Sequence, residues 1–333
     1  MIKTALSIPS VLKVKAGSKI PLRVTHMITY NCNLDCSYCS RHYDTNELGT
    51  QDVMDLMKSF REAGTRFWSF NGGEALMRDD LGELITYGRK LGFITSLATN
   101  GTLVAERIND LRDIDMVTIS LDGPRKIQEE SRPGSFDKII EGMDALDSNN
   151  IQNNIMTVIG KHNINVLDDV LGFAEAYGTR VFFQPIRVQK EDTEGKSKMY
   201  FPTPDQMREA TTQLINAKKQ VRPVASSTKY LEHMRDCWPD KMPAEKCWAG
   251  RISCAIDPSG HVAPCCDTLA SCAGREDCNA GKNGAQSFHS IPDFKCSTCY
   301  SSIPLETNIM MNHMLKPKFA HDQILREYLL HQR

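Results

Sequence analysis

The sequence predicts an α/β protein: a partial (β/α)6 barrel of the TIM type followed by a small cysteine-rich domain. β-rich runs alternate with helical runs between residues 21 and 220, and this alternation stops before a segment rich in cysteine, glycine, proline and serine at residues 237–300. Repeated strand–helix units form parallel strands joined by right-handed crossovers. Six units are too few to close an eight-stranded barrel, so we expect an open barrel with ligands at the carboxyl ends of its strands.

The elements of the barrel are predicted from short β-rich runs and from apolar residues at helical spacing. After the sixth strand, Thr203, Pro204 and Gln206 form a capping-box pattern with proline at the first helical position. The predicted strands are residues 22–29, 66–71, 94–98, 116–121, 155–159 and 181–184, and two predicted helices are residues 135–149 and 166–177.

The remainder of the chain is predicted to form a second, smaller unit. Asp257, Pro258, Ser259 and Gly260 indicate a turn between two short strands. An amphipathic helix is expected at about residues 321–330. The predicted divisions are an N-terminal extension at 1–20, the barrel at 21–220, an auxiliary domain at 221–310 and a helical segment at 311–333.

Composition argues against several classes of function. The chain has 40 basic and 41 acidic residues and no basic tract, so bulk electrostatic binding to nucleic acid or anionic membrane is not expected. No apolar run approaches the ~20 residues that cross a bilayer. Pro9 interrupts the apolar stretch after Lys3, so a secretory signal is not expected. These features favour a cytoplasmic protein.

The twelve cysteines fall into two groups. Three lie within residues 32–39, none lies between 40 and 236, and nine lie between 237 and 299. A secreted disulfide framework usually occurs in a smaller, loop-rich chain. Two groups separated by a long cysteine-free stretch instead indicate two metal sites on one scaffold.

The first group has the spacing C-x3-C-x2-C, formed by Cys32, Cys36 and Cys39 directly after the first predicted strand. Three thiolates on a [4Fe–4S] cluster leave one iron open to an external ligand. A structural zinc site is the alternative, and it would need a fourth ligand such as His26 or His42.

This spacing, with the aromatic residue Tyr38 before the last cysteine, resembles the hallmark of the radical S-adenosylmethionine superfamily. The resemblance implies that the open iron chelates the amino and carboxylate groups of S-adenosylmethionine. Electron transfer into the sulfonium then releases a 5′-deoxyadenosyl radical that abstracts hydrogen from a substrate. It also implies a reductant such as flavodoxin or ferredoxin.

Gly72, Gly73 and Glu74 follow the second predicted strand. Glycines let a backbone approach a ligand closely, and Glu74 is expected to accept hydrogen bonds from the methionine ammonium. A glycine pair alone more often marks a turn, so this assignment depends on the barrel context.

Asn100, Ser120 and Asp122 follow the third and fourth strands and have the polar groups suited to ribose hydroxyls or to the methionine moiety. Simple capping of the following loops explains each of them equally well. Arg132 resembles the arginine of the family that pairs with the methionine carboxylate, although a solvated arginine is the ordinary alternative.

The second group contains Cys247, Cys265 and the C-x2-C pair Cys296 and Cys299. Four cysteines make a closed site, and a zinc site with four thiolates fits the spacing. The pattern resembles the start of the SPASM extension and, with no cysteine after Cys299, its shortened twitch form with one auxiliary [4Fe–4S] cluster. The 17-residue gap before Cys265 is similar to that of the aminoglycoside alcohol dehydrogenase family of butirosin biosynthesis.

The five other cysteines receive no firm role. Cys254, on the predicted hairpin, is a candidate alternative ligand or hydrogen-atom donor, but packing as a small buried hydrophobe is the expected state. The others are Cys237, Cys266, Cys272 and Cys278.

These features predict a radical enzyme with two [4Fe–4S] clusters that oxidises or epimerises a small molecule, for example a sugar or aminoglycoside. The alternative is a peptide-modifying maturase. About twenty residues precede the first strand, too few for a leader-binding domain, and this favours the small molecule. A metal-binding scaffold without radical chemistry is the non-enzymatic alternative.

Overall fold

The computed structural model describes residues 8–39, 46–187, 195–242, 245–271, 275–292, 296 and 298–313. The helix expected at residues 321–330 and Cys272 lie outside the described residues. Among the described residues, no helix has the length and apolar character needed to cross a membrane.

The described strands form one eight-stranded sheet, which confirms the predicted α/β architecture. Its order is β6-β5-β4-β3-β2-β1-β7-β8. Strands β1 to β6 are neighbours in chain order and parallel, as right-handed strand–helix–strand units require. The bounds are β1 Arg23–Thr29, β2 Phe67–Gly72, β3 Ile94–Thr99, β4 Met116–Ser120, β5 Asn153–Ile159, β6 Val181–Pro185, β7 Ser253–Ile256 and β8 Val262–Ala263.

The helices of the described residues include both those predicted from the sequence and several that were not. The capping box at Thr203 is formed: the Gln206 N–H donates to the Thr203 hydroxyl at 3.2 Å, and the Thr203 N–H donates to Gln206 Oε1 at 2.9 Å. The bounds are α1 Ile8–Lys15, α2 Thr50–Glu62, α3 Leu81–Lys90, α4 Arg125–Ser131, α5 Phe136–Ser148, α6 Leu167–Ala176, α7 Pro204–Lys219, α8 Thr228–Cys237, α9 Ala280–Asn283 and α10 Ser302–His313.

The predicted turn at Asp257 to Gly260 joins β7 and β8, which pair antiparallel. Sequence reasoning did not anticipate that β7 also pairs parallel with β1, from Arg23 beside Ser253 to His26 beside Ile256. The hairpin of the cysteine-rich region therefore continues the barrel sheet. The domain boundaries at residues 20, 220 and 310 remain a prediction.

Strand alternation separates an outer face, which packs in the core, from an inner face, which lines a cavity. In β4, Val117 and Ile119 are fully buried in the main apolar core, whereas Met116, Thr118 and Ser120 line a central cavity. This alternation follows from the two-residue period of a strand. The helices cover the outer face, and the inner face is left for ligands.

His26 is an exception in the outer layer. Its side chain is fully buried and packs edge-on against Trp68 with ring centroids 5.6 Å apart. Neither ring nitrogen has a hydrogen-bond partner in the described part of the chain. Burial, helped by the charge of Arg78, lowers the pKa of His26 to about 3.

We expect His26 to make the fold sensitive to acid. Below its unfolded pKa of about 6.5, the histidine takes up a proton only in the unfolded chain, so stability falls as pH drops toward 3. At pH 5 this loss is about 2 kcal/mol. Anaerobic urea unfolding at pH 7 and pH 5 measures it, with His26→Leu as the comparison. Equal pH dependence of the two proteins would contradict the expectation.

Candidate functional site

A cavity of about 1670 Å³ occupies the interior of the open barrel. Cys32, Cys36 and Cys39 line it beyond the carboxyl end of β1, and Cys265 and Cys266 line it from the hairpin region. Both cysteine groups thus border the same space.

The loop that carries the first cysteines is held by the end of β2. The Gly73 N–H donates to Thr29 O at 2.9 Å, and the Glu74 N–H donates to Asn31 O at 2.8 Å. A Cβ on Gly72 would lie 2.1 Å from Thr29 O, and one on Gly73 would lie 2.4 Å from Asn31 O. The lack of side chains at these glycines thus lets the backbone of the cysteine loop approach closely. The sequence had suggested instead that a ligand makes this approach.

The three thiols of the first group lie on one eight-residue loop and influence one another electrostatically. Burial raises the pKa of Cys32, and it raises that of Cys36 to about 11, in part offset by Arg132. The negative charges of Cys32 and Cys39 also disfavour ionisation of Cys36. Thiols that oppose one another's ionisation become thiolates together only if a cation compensates them, and the irons of a cluster would do so. The donor set therefore fits a three-thiolate cluster.

Glu74 is fully buried, and its carboxylate accepts hydrogen bonds from other groups of the protein. Oε1 accepts hydrogen bonds from the Leu76 N–H at 3.1 Å and from the Thr99 hydroxyl at 2.8 Å, and Oε2 accepts one from the Asn100 N–H at 2.7 Å. Burial raises the pKa of this carboxyl group. Glu74 thus ties the end of β2 to the end of β3, a role that the sequence did not indicate.

Asn100 and Ser120 line the cavity at the ends of β3 and β4. The Asn100 side chain donates to Asn33 Oδ1 at 2.8 Å and accepts from the Thr102 N–H at 2.9 Å. Asn33 lies inside the cysteine motif, so Asn100 connects β3 to that loop.

Tyr38, Asp122 and Arg132 form one buried network. Asp122 Oδ2 accepts from the Tyr38 hydroxyl at 2.5 Å and from Arg132 Nε at 2.9 Å, and Arg132 Nη2 donates to the Tyr38 hydroxyl at 2.6 Å. Although burial opposes its charge, Arg132 and the Tyr38 hydroxyl hold the pKa of Asp122 below its ordinary value. Arg132 and Tyr38 face the cavity, and the fully buried Asp122 supports them.

Sequence reasoning missed the residues that hold Asp122. Gln128 Oε1 accepts from the Asp122 N–H at 2.8 Å, the Asn163 side chain donates to Asp122 O at 2.9 Å, and the Val158 N–H donates to Asp122 Oδ1 at 3.0 Å. No motif marks these residues. Val158 and Asn163 reach Asp122 only when β4 and β5 pair, whereas Gln128 reaches it from the helix that follows.

The second cysteine group is brought together in part. Burial raises the pKa of Cys299 to about 12, and the nearby Asp267, Cys247 and Cys296 contribute further. Burial also raises the pKa of Cys265, and the charges of Asp267 and Cys266 add to this effect. Asp267 thus acts on both Cys265 and Cys299.

Two supports hold the second group. The Asn308 side chain in α10 accepts from the Trp248 N–H at 2.8 Å, beside Cys247. His233 in α8 contacts Cys299 O at 2.9 Å. Within the described residues, no three or more metal-binding side chains converge on a single ion. Four thiols from this region suit either a [4Fe–4S] cluster or a zinc ion.

Among the remaining described cysteines, Cys254 in β7 is buried and lines the cavity, near Cys266. Cys278 is fully buried in a small apolar cluster. Cys237 ends α8, where it is half-buried.

The barrel, the three-cysteine loop and the sequence match define the class of protein. Residues 27–174 match the Radical SAM superfamily. The matched residues contain the end of β1, the three-cysteine loop and strands β2 to β5.

Two curated relatives illustrate the similarity. The chain is 27% identical over 259 residues to the mycofactocin maturase MftC of Mycolicibacterium smegmatis, covering 75% of this chain and 65% of the relative. It is 31% identical over 184 residues to an AdoMet-dependent heme synthase of Oleidesulfovibrio alaskensis, covering 52% of this chain and 47% of the relative. The chain thus spans less than two thirds of either relative.

Solved structures share the fold. Streptococcus suis SuiB bound to the precursor peptide SuiA superposes with a TM-score of 0.67 at 15% identity, covering 86% of this chain and 68% of SuiB. The enzyme anSMEcpe with bound AdoMet and the Cp18Cys peptide gives 0.62 at 19% identity, covering 80% of each chain.

Proposed function

We propose that this chain is a radical S-adenosylmethionine enzyme that modifies a peptide. The observation that carries the radical chemistry is the cavity lined by Cys32, Cys36 and Cys39 and also by Cys265. A substrate bound there would lie between the proposed open cluster and the proposed auxiliary cluster. The relative that matches three quarters of this chain is named a maturase. This supports the peptide alternative over the small molecule.

The roles of the residues follow from their positions. Cys32, Cys36 and Cys39 would hold the open cluster, which supplies the electron that cleaves S-adenosylmethionine when both are bound. Arg132 faces the cavity with donors left for a carboxylate, and Asp122 fixes its orientation. Asn100 and Ser120 offer hydrogen-bonding groups at the same rim. The residues of the proposed auxiliary cluster are Cys247, Cys265, Cys296 and Cys299.

The substrate class is tested with reconstituted, reduced protein and S-adenosylmethionine. The probes are short peptides encoded beside the gene and, separately, an aminocyclitol such as 2-deoxystreptamine. We expect a peptide to change mass and to increase the yield of 5′-deoxyadenosine. Turnover of the aminocyclitol alone would favour the second candidate function, small-molecule oxidation or epimerisation, which the spacing around Cys265 supports. A flavodoxin or ferredoxin is the proposed physiological reductant, and dithionite replaces it in this assay.

We expect Arg132→Ala to weaken S-adenosylmethionine binding ten- to a hundredfold. The change removes a charge-assisted hydrogen bond worth roughly 1.5–3 kcal/mol. Anaerobic calorimetry measures the affinity. The variant also leaves Asp122 buried without its partner, so Arg132→Lys, which keeps the charge, serves as a second variant with a smaller loss.

The matched control is Arg125→Ala. Arg125 pairs with Asp137 on the exposed surface of the barrel, so its loss should leave affinity unchanged. Unchanged affinity in a folded Arg132→Ala protein would remove Arg132 from the binding site.

A further inference from the structure

An ion pair joins the barrel to the loop that carries Cys265. Arg187, two residues beyond β6, contacts Asp267 through Nη1 and Oδ1. Asp267 lies within a tight turn in which the Thr268 N–H and hydroxyl donate to Cys265 O at 3.0 Å and 2.9 Å. The end of a barrel strand therefore fixes the position of a cysteine loop.

Both charges of the pair act on cysteines of the second region. Arg187 lies in the cavity wall together with Cys265 and Cys266, and its charge acts on Cys266 and on Cys299. The carboxylate of Asp267 acts on Cys265 and Cys299. A charge in a partly enclosed site is screened less by water and salt than one on the surface.

This pair differs from the surface pairs of the described residues. Arg89 and Asp113, for example, have side chains that are 64% and 35% exposed, and such pairs contribute little. Arg187 is 21% exposed and Asp267 is 40% exposed. Arg187 is therefore partly buried, lies in a cavity wall and acts on two thiols, none of which holds for Arg89.

We propose that Arg187 and Asp267 are positioning residues that set the reduction potential of the auxiliary cluster. The inference rests on the proposed assignment of that cluster. Reduction adds one negative charge to a cluster, so a neighbouring cation favours the reduced form and a neighbouring carboxylate disfavours it. Loss of Arg187 should lower the potential, and loss of Asp267 should raise it.

The experiment measures the auxiliary cluster alone. In full-length protein with Cys32, Cys36 and Cys39 changed to alanine, the potential is determined by anaerobic redox titration followed by electron paramagnetic resonance. We expect Arg187→Met to lower the reduction equilibrium constant at least tenfold, which is 59 mV for one electron. Asp267→Asn should shift it in the opposite direction. Arg187→Lys should stay near the parent value, and Arg89→Met, on the outer surface, should leave it unchanged.

Opposite shifts with about four irons retained support the proposal, because a merely structural pair would not give opposite signs. Unchanged potentials with full iron in both variants overturn it. If Arg187→Met loses its cluster, Asp267→Asn decides: an upward shift supports the proposal and no shift overturns it. A parent protein without iron would overturn the auxiliary cluster itself and this inference with it, while leaving the peptide assay of the wild type unaffected.

Discussion

Changing Cys32, Cys36 and Cys39 to alanine should halve the iron content and abolish cleavage of S-adenosylmethionine. The reconstituted wild type should hold about eight irons per chain and the triple variant about four. The reason is that only this group leaves an iron with a free coordination position, and the cosubstrate needs that position. Iron assay and chromatographic detection of 5′-deoxyadenosine measure the two effects.

The same assay tests the zinc alternative. A wild type with stoichiometric zinc and about four irons would contradict the auxiliary cluster, since a closed set of four thiolates also suits zinc. The matched control is Cys237→Ala. Cys237 lies at the end of α8 and belongs to neither proposed ligand set, so its loss should leave both iron content and cleavage at wild-type values.

Changing Cys296 and Cys299 to alanine should separate the two clusters by function. Reductive cleavage of S-adenosylmethionine to 5′-deoxyadenosine should persist, because the variant keeps Cys32, Cys36 and Cys39 in the loop beyond β1. Product formation should fall to background, because the auxiliary cluster would no longer accept an electron or hold its domain over the cavity. Product analysis by mass spectrometry, beside the cleavage assay, measures the difference.

Folding must be checked in this double variant. Loss of a metal that organises a small domain unfolds it, and the contact of Cys299 O with His233 places that damage next to α8. Circular dichroism and gel filtration detect such a change. A folded double variant that forms product at the wild-type rate would show that the auxiliary cluster has neither role.

The barrel could be predicted from the sequence because each of its strands and helices is specified by residues that are neighbours along the chain. Each of the six strands was found within a few residues of its bounds, and the capping box at Thr203 was located exactly where α7 begins. The C-x3-C-x2-C motif is also local, since its three cysteines, the proposed cluster ligands, lie within eight residues. The substrate, by contrast, is not specified by such local patterns, and the proposed peptide rests on a relative that is named a maturase.

The partners of the predicted site residues were decided by tertiary structure alone. Glu74 was expected to face a ligand, but the convergence of β2 and β3 gives its carboxylate three protein donors. Asp122 meets Tyr38 across 84 positions of sequence. The pairing of β7 with β1 brings the hairpin to the barrel across more than 200 residues. A sequence pattern records the spacing of neighbours along the chain, whereas burial, and the hydrogen bonds that burial demands, depend on which distant strands pair.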